Sequence, residues 1–476
     1  MRRARPLRRT LPFVGAAPLL LALGCAEKTL PLRDSGTGDW GSAREGGAGR
    51  DYRIGKIGSN CKPVGTRVVH QEVSGRSGWM PRLAWSEKVY GIAWAQDLAG
   101  GSQSATQPML ALFDAEGEPV GKPLALTEKG TANAADPVGI AGVPDGFAVV
   151  WADRRQSIDR RSLVLARVNA KGQRLAGGAP CTTPGCGEVH LLSAMYASSP
   201  HLVRPGFLGL EGRAKTTSLA VTWRDGRNVK PPTFPGGPEE GRYDVFMKVV
   251  KLDGTQVLPE QRITTDTSRP HPATPVSSFD GTKYAMVWRD LADLSSSELF
   301  FALVAADGRV LTEEKSLAVN RGLAASAPDL VWAGPEFGVA YSDNPDKDNG
   351  SIRFARVTRA GELLASQTVT TFGNPCTPTV AFNGERYAVA WQDRCGADGS
   401  KLVFALIDDG GKPLLPDGKS CLTSESPDCG LVTVSTEKDG TAAYPNMISV
   451  GGKFALTWMN APKRLIQFTH IVCSTR

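Results

Sequence analysis

Short apolar segments that end in an aromatic residue recur along most of the chain. Seven copies are present: YGIAW at 90–94, FAVVW at 147–151, LAVTW at 219–223, YAMVW at 284–288, FGVAY at 337–341, YAVAW at 387–391 and FALTW at 454–458. A proline precedes the final aromatic residue by 13 positions in five copies, as in Pro81–Trp94, and by 14 or 23 in the others. This pattern predicts two adjacent strands, A and B, in every repeat.

A second signature follows the aromatic residue: an alternating apolar strand that ends in a tight turn. Examples are MLALFDAEG at 109–117, VFMKVVKLDG at 245–254 and LFFALVAADG at 299–308. Alternation of period two that runs into Asp-Gly or a similar pair is typical of a β-hairpin. With a weaker fourth strand, such as PLALT at 123–127, the unit becomes four antiparallel strands, A to D. The sequence therefore predicts an all-β fold, a seven-bladed β-propeller. Two or three stacked sandwiches, the alternative, do not explain one unbroken period.

The last repeat ends after its strand C, LIQFTHIV at 465–472, and lacks a strand D. The segment CKPVGTRVVHQEVS at 61–74 resembles GEPVGKPLALTEKG at 117–130, which is a strand D with its leading turn. We expect this N-terminal strand to complete the last blade, because that pairing removes an exposed edge. The register places Cys61 opposite Cys473, so a disulfide between them is predicted.

Six further cysteines are expected to pair locally. The predicted disulfides are Cys376–Cys395, on an A–B hairpin, and Cys181–Cys186 and Cys421–Cys429, each closing a small strand D loop. Zinc is the alternative near Cys181, but His190 is the only nearby histidine, and a zinc site needs four converging ligands. Disulfides are favoured, and no metal site is assigned to these residues.

The N-terminal 24 residues combine five arginines with a 14-residue apolar stretch, Leu11–Gly24. That stretch is too short to span a bilayer and predicts a signal peptide over 1–24. The ending LALGC at 21–25 resembles the lipobox of bacterial lipoproteins, although Ala22 stands where leucine is usual. The resemblance implies lipidation of Cys25 and an exported protein anchored in the cell envelope, with the outer membrane as the expected location. An ordinary cleaved secretory signal is the alternative.

The leader also explains the charge of the chain. The formal net charge is +7, and removing the five arginines of the leader leaves +2. The basic character therefore belongs to export, and no nucleic-acid partner is expected. Residues 25–58, rich in glycine, serine and mixed charges, are predicted to be a flexible tether, and residues 59–476 to form the propeller.

The recurring aromatic residue of strand B is expected to pack between blades, since a ligand rarely needs seven equal contacts. A polar residue stands two positions after it in every copy. We call these the rim positions: Gln96, Asp153, Asp225, Asp290, Asp343, Asp393 and Asn460. Capping of a turn by the side chain is the favoured interpretation, and a ring that binds Ca²⁺ is the alternative. Four arginines that adjoin rim acids favour paired charges: Arg154, Arg224, Arg289 and Arg394. No cofactor is predicted apart from this possible Ca²⁺.

The repeats resemble the Trp-x-Asp repeats of exported bacterial propeller proteins over nearly all of 61–476. They lack the Gly-His element of WD40 repeats and the Ser-x-Asp-x-Gly-x-Thr-Trp box of sialidases. Propellers have many unrelated functions, so this resemblance implies a fold and little chemistry. No catalytic residue is predicted, because there is no Gly-x-Ser-x-Gly element and the histidines share no motif. These are His70, His190, His201, His271 and His470.

The B–C and D–A connections are longer and more variable than the A–B and C–D turns, and they emerge on one face of the ring. Long loops on a rigid scaffold are where binding usually takes place. We therefore expect a non-catalytic, surface-attached binding or scaffolding lipoprotein, with a protein or glycan ligand on that face. The alternative is an exported hydrolase or lyase of polysaccharides with carboxylates at the funnel of the propeller.

Overall fold

Seven small antiparallel sheets follow one another along the chain, described here from a computed structural model. The described part of the chain contains no helix with the length and hydrophobicity of a transmembrane segment. The structure describes residues 60–473 apart from 71–77, 87, 98–105, 128–133, 156–160, 182, 184, 196, 204–217, 230–241, 266–271, 292–296, 321–327, 344–349, 372, 395–398, 409, 416, 422–428, 436–439 and 461–464. The predicted leader, Cys25 and the whole of the predicted tether lie outside this range.

Each sheet is one blade, with its strands in the order A, B, C and D. Blade 1 contains β2 (Gly78–Ser86), β3 (Val89–Asp97), β4 (Thr106–Phe113) and β5 (Leu124–Ala125). Blade 2 contains β6 (Ala134–Val143), β7 (Gly146–Asp153), β8 (Arg161–Asn169), β9 (Arg174–Ala176), β10 (Ala179–Pro180) and β11 (Val189–Met195). Blade 3 contains β12 (Ala197–Val203), β13 (Ser218–Asp225), β14 (Asp244–Lys251) and β15 (Gln256–Arg262). Blades 4 and 5 contain β16 (Pro272–Phe279), β17 (Lys283–Leu291), β18 (Ser297–Ala305) and β19 (Lys315–Asn320); and β20 (Asp329–Trp332), β21 (Glu336–Asp343), β22 (Ser351–Thr358) and β23 (Leu363–Thr370). Blades 6 and 7 contain β24 (Cys376–Phe382), β25 (Tyr387–Gln392), β26 (Leu402–Ile407) and β27 (Val432–Ser435); and β28 (Ala442–Val450), β29 (Lys453–Asn460), β30 (Leu465–Cys473) and β1 (Cys61–His70). The predicted seven-bladed β-propeller is confirmed.

Blade 2 departs from the four-stranded pattern at its outer edge. The position of strand D is divided between β9, which pairs with the C-terminal end of β8, and β11, which pairs with the rest of β8. The hairpin of β9 and β10 and the segment up to β11 separate the two pieces. An insertion has thus been accommodated at the outer edge, where it leaves the interior of the ring unchanged.

Seven hydrophobic clusters hold the ring together, and each spans the interface between two neighbouring blades. Each contains one of the recurring strand B aromatic residues, and all of these are almost fully buried: Trp94, Trp151, Trp223, Trp288, Tyr341, Trp391 and Trp458. A buried ring has no face for a ligand. The aromatic residues therefore act as packing between blades, as their recurrence indicates.

The first strand closes the ring. β1 pairs antiparallel with β30, with Cys61 opposite Cys473, and occupies the strand D position of blade 7. A disulfide joins these two cysteines across 412 residues of sequence. Both the predicted closure and its disulfide are confirmed, and so is the Cys421–Cys429 disulfide.

The other cysteines differ among themselves. Cys376 is disulfide-bonded, and its predicted partner Cys395 lies outside the described residues. In contrast to the predicted disulfide, Cys181 and Cys186 are thiols. Burial, together with a hydrogen bond to Cys186, raises the pKa of Cys181 to about 11. The two cysteines are near enough to hydrogen-bond but carry no S–S bond, so the predicted Cys181–Cys186 disulfide is not present.

Candidate functional site

The A strands of successive blades contact one another, as β2 does with β6 and β28, so they surround the axis of the ring. The recurring proline lies at a bulge in this inner edge strand. In β2, β24 and β28 the ladder to strand B is interrupted there, and the residue before proline has a positive φ: 46° at Met80, 48° at Thr377 and 52° at Tyr444. Proline lacks an N–H and suits an edge strand, and the bulge redirects the residue that follows it.

One residue of each A strand pairs with the residue just before the strand B aromatic, so seven residues lie at one level around the axis. We call them the inner ring: Arg82, Gly139, His201, Val276, Asp329, Thr379 and Asn446. Five of the seven have polar side chains. The central channel at the inner ring is the candidate functional site, because it is where the topology brings side chains from different blades together.

Inner-ring side chains bond one blade to the next. Asn446 Oδ1 of blade 7 accepts the backbone N–H of Leu83 in blade 1, with 2.8 Å between oxygen and nitrogen. Thr379 Oγ1 of blade 6 accepts the N–H of Met447 in blade 7 at 3.0 Å. In both cases an acceptor atom satisfies an N–H on the inner edge of a sheet, where no further strand is available.

The same bond recurs in two other blades. Asp329 Oδ2 of blade 5 accepts the N–H of Val380 at 2.9 Å and the hydroxyl of Thr379 at 2.6 Å. Its Oδ1 accepts the N–H of Leu330 at 2.9 Å. In blade 3, His201 Nδ1 lies 3.4 Å from the nitrogen of Ser277 and 3.2 Å from its hydroxyl oxygen. Four of the seven inner-ring residues therefore bond their blade to the next one, and we call these bonds clamps.

Arg82 of blade 1 has a different role, since a guanidinium has donors and no acceptor. Its side chain is half-buried, and none of the described residues bonds or ion-pairs with it. Burial and then the Arg82 charge lower the pKa of His201 to about 3. Burial raises the pKa of Asp329, which its hydrogen bonds and Arg82 oppose. Arg82 thus acts electrostatically on blades 3 and 5 across the channel.

The rim positions are not brought together. In blades 2 and 3 the tryptophan Nε1–H donates to the rim carboxylate at 2.9 Å, from Trp151 to Asp153 and from Trp223 to Asp225. The other oxygen of each carboxylate accepts the N–H of the residue two positions later, Arg155 in blade 2. These bonds tie the end of strand B to the turn that follows it. No group of three or more acidic, cysteine or histidine residues that could hold a metal occurs in the described part of the chain.

The remaining rim positions vary. Asp393 Oδ1 accepts the N–H of Lys401 at 2.6 Å, whereas Asp343 lies 4.0 Å from Arg353 and its pKa is raised by burial. Gln96, Asp290 and Asn460 are buried. In blade 5 the aromatic residue two positions before the rim position is Tyr341, whose hydroxyl bonds to Ser366 rather than to Asp343.

The predicted pairing of Arg394 with Asp393 is present, with 4.0 Å between Nε and Oδ1, but the arginines that pair with the rim acids of blades 2 and 3 were not predicted from the sequence. Arg155 joins Asp153 to Glu188, and Arg227 joins Asp225 to Glu260. The expected partner Arg224 lies instead over the ring of Tyr243, with its guanidinium carbon 3.3 Å from the ring centre. A signal was present, because arginine and glutamate are 33 residues apart in both repeats.

A cleft of about 560 Å³ lies at the outer edge between blades 2 and 3, beside β8, β11 and the turn after β14. Two of its charged side chains are already paired: Arg167 with Asp145, and Glu188 with Arg155. The histidines do not add a second centre: His190 is exposed and His470 is buried, and the side chains of His70 and His271 lie outside what is described. Most of the B–C and D–A connections also lie outside the described residues.

No family model and no curated protein matches the sequence. Solved structures that match this chain include a protein of unknown function from Dyadobacter fermentans, 8% identical over 87% of this chain and 100% of that chain, with a TM-score of 0.48. The hemagglutinin-neuraminidase ectodomain of parainfluenza virus 5 is 8% identical over 88% and 85%, with a TM-score of 0.42. A puromycin-hydrolyzing peptidase of Mycobacterium tuberculosis is 12% identical over 84% and 55%, with a TM-score of 0.44. Neither the identities nor the TM-scores bear on the activity of this chain.

Proposed function

We propose that this chain is an exported, lipid-anchored propeller that binds a ligand and catalyses no reaction. Cys25 carries the lipid, and the tether of residues 25–58 holds the propeller at the membrane of the cell envelope. A protein or glycan ligand contacts the face that carries the B–C and D–A connections. Nucleic acid is not a partner.

The observation that carries this proposal is the state of the inner-ring carboxylate. Hydrolysis of a polysaccharide uses two carboxyl groups about 5 to 9.5 Å apart. The inner ring contains one carboxylate, Asp329, and it accepts hydrogen bonds from Thr379, Val380 and Leu330. A carboxylate engaged in this way holds blades together, and this supports binding over catalysis in the channel.

The disulfides support the exported location. Cys61–Cys473 and Cys421–Cys429 form and persist in an oxidising compartment. This agrees with the leader of residues 1–24 and with a folded domain outside the cytoplasm. Lipidation at Cys25 and anchoring at the outer membrane extend that location and are part of the proposal.

One experiment with two readouts distinguishes binding from catalysis. The purified full chain is mixed with cell-envelope polysaccharides, acidic and neutral, and with envelope protein extract; co-sedimentation measures binding, and the appearance of new reducing ends or unsaturated sugars measures cleavage. We expect saturable binding without products. Products that disappear in Asp329→Asn would establish the hydrolase or lyase and overturn the proposal.

The anchor is tested by growing the producing cells with a labelled fatty acid. We expect label in the wild-type chain and in Cys181→Ala, the matched control, and no label in Cys25→Ala. Label that persists in Cys25→Ala would show that this cysteine is not the lipid site.

A further inference from the structure

The clamps use the hydrogen-bond acceptors of the inner-ring side chains and do not use their N–H donors. A backbone N–H is a donor, so a side chain that binds it must use an acceptor atom. Asn446 uses Oδ1 for Leu83, which leaves its amide NH₂ group. His201 uses Nδ1 for Ser277, which places the proton of the neutral imidazole on Nε2. Both residues therefore keep N–H groups that no described residue accepts.

Arg82 adds a charge to these donors. It lies at the same level as Asn446 and His201, in the blade next to blade 7, and no described residue hydrogen-bonds or ion-pairs with it. A guanidinium has five N–H donors in a plane, and its geometry matches the two oxygens of a carboxylate. A half-buried cation that no described residue hydrogen-bonds or ion-pairs favours an anionic ligand.

The other charges limit which anion fits. Asp329 is the only inner-ring carboxylate, and its oxygens face the N–H groups of Leu330 and Val380 and the hydroxyl of Thr379. His201 is neutral at ordinary pH. One cation that shares a channel with one carboxylate suits a monoanion better than a doubly charged phosphate.

We propose that the channel at the inner ring binds the carboxylate of a small acidic ligand, with Arg82 as the ion-pair partner and Asn446 Nδ2 and His201 Nε2 as neutral donors. This deepens the proposed binding function and rests on it. An acidic sugar and the C-terminus of a peptide present the same carboxylate, and the experiment distinguishes them.

Calorimetric titration of the purified full chain tests the proposal with four probes. D-glucuronate and N-acetylalanine carry a carboxylate on a sugar and on a peptide-like body; D-glucose and N-acetylalanine amide are their neutral counterparts. We expect saturable binding of at least one acid and none of its neutral counterpart. The acid that binds identifies the source of the carboxylate.

Variants assign the binding to the channel. Arg82→Gln removes the charge, and Asn446→Asp keeps the oxygen that clamps Leu83 while replacing the free NH₂ group by a negative oxygen. We expect each to weaken binding of the acid by about tenfold or more, which corresponds to about 1.4 kcal/mol. Arg309→Gln, which removes an exposed arginine on the outside of blade 4, is expected to bind like the wild type. Thermal unfolding checks that the variants are folded.

The outcomes separate this proposal from the proposed function. Binding of neither acid by the wild-type chain, or unchanged binding in folded Arg82→Gln, overturns the channel site. If the chain then still co-sediments with an envelope polysaccharide or protein, the binding function stands without the channel. Loss of both would overturn both.

Discussion

Single residues of different chemistry perform the same task at the inner ring. Asn446 Oδ1 and His201 Nδ1 each accept the N–H of the next blade. Only the neutral imidazole has an acceptor, and burial beside Arg82 lowers the pKa of His201 to about 3. The clamp in blade 3 therefore depends on a protonation state that the clamp in blade 7 does not need.

His201→Asn tests this difference. An unfolded histidine takes up a proton below its ordinary pKa of about 6.5, whereas folded His201 does not until about pH 3. The wild-type chain must therefore lose stability through His201 as the pH falls from about 6.5 towards 3, by up to about 1.4 kcal/mol per pH unit. We expect the variant to lack this loss, so that its free energy of unfolding falls less steeply with decreasing pH. Parallel curves for the two chains in denaturant titrations would contradict the assignment.

The inner ring could not be identified from the sequence, although its position is marked. The residue that follows the recurring proline is Arg82, Asp329 or Asn446 in different blades, so no repeated letter points to a common role. What these residues share is a place at a bulge beside the next blade, which only the fold creates. The rim positions were visible because Asp153 and Asp225 repeat in type as well as in place.

At the scale of elements, the interface between blades 1 and 2 replaces a side-chain clamp with close contact of backbones. The inner-ring residue of blade 1 is Arg82, whose guanidinium has no acceptor for an N–H of blade 2. Towards the C-terminal end of β6 in blade 2, a Cβ built on Gly142 would lie 1.7 Å from the carbonyl oxygen of Trp85 in β2. The Ser86 hydroxyl also donates to the carbonyl of Val143 at 3.0 Å.

Gly142→Ala is therefore expected to destabilise the propeller. The added methyl group meets backbone that cannot rotate away, so β2 and β6 must separate, at a cost of about 1 to 3 kcal/mol. The matched control is Gly410→Ala, where the nearest atom is 3.2 Å away on the flexible side chain of Asp408. Urea unfolding measures both variants, and equal midpoints would show that the approach at Gly142 is not tight.

The elements themselves were largely predictable, because strands B and C are apolar runs that are buried over most of their length. The outer strands were less so. β5 spans only Leu124–Ala125, and the strand D position of blade 2 is split between β9 and β11. Outer strands are held by one neighbour and face solvent, so their sequence pattern is weaker and insertions are tolerated there.

At the scale of the whole molecule, the ring is closed by noncovalent pairing and by one covalent bond at the same place. Among the described strands, β1 alone reaches its blade from the opposite end of the chain, and Cys61 is its first residue. In the proposed arrangement the tether precedes Cys61, so a force transmitted from the membrane anchor acts first on the Cys61–Cys473 pair. The disulfide therefore reinforces the closure at the position that would bear this force.

Replacing Cys61 and Cys473 together by serine is expected to lower the free energy of unfolding by about 3 to 5 kcal/mol, because the disulfide closes a loop of 412 residues. The matched variant, with serine at Cys421 and Cys429, opens a loop of 8 residues and is expected to lose less. In hydrogen exchange, the amides of β1 (Cys61–His70) should lose protection first in the former variant and remain protected in the latter. Because β1 is an outer strand with Val64 and Val68 exposed, little else holds it once the covalent bond is gone. Equal losses of stability, or unchanged protection of β1, would show that strand pairing alone closes the ring.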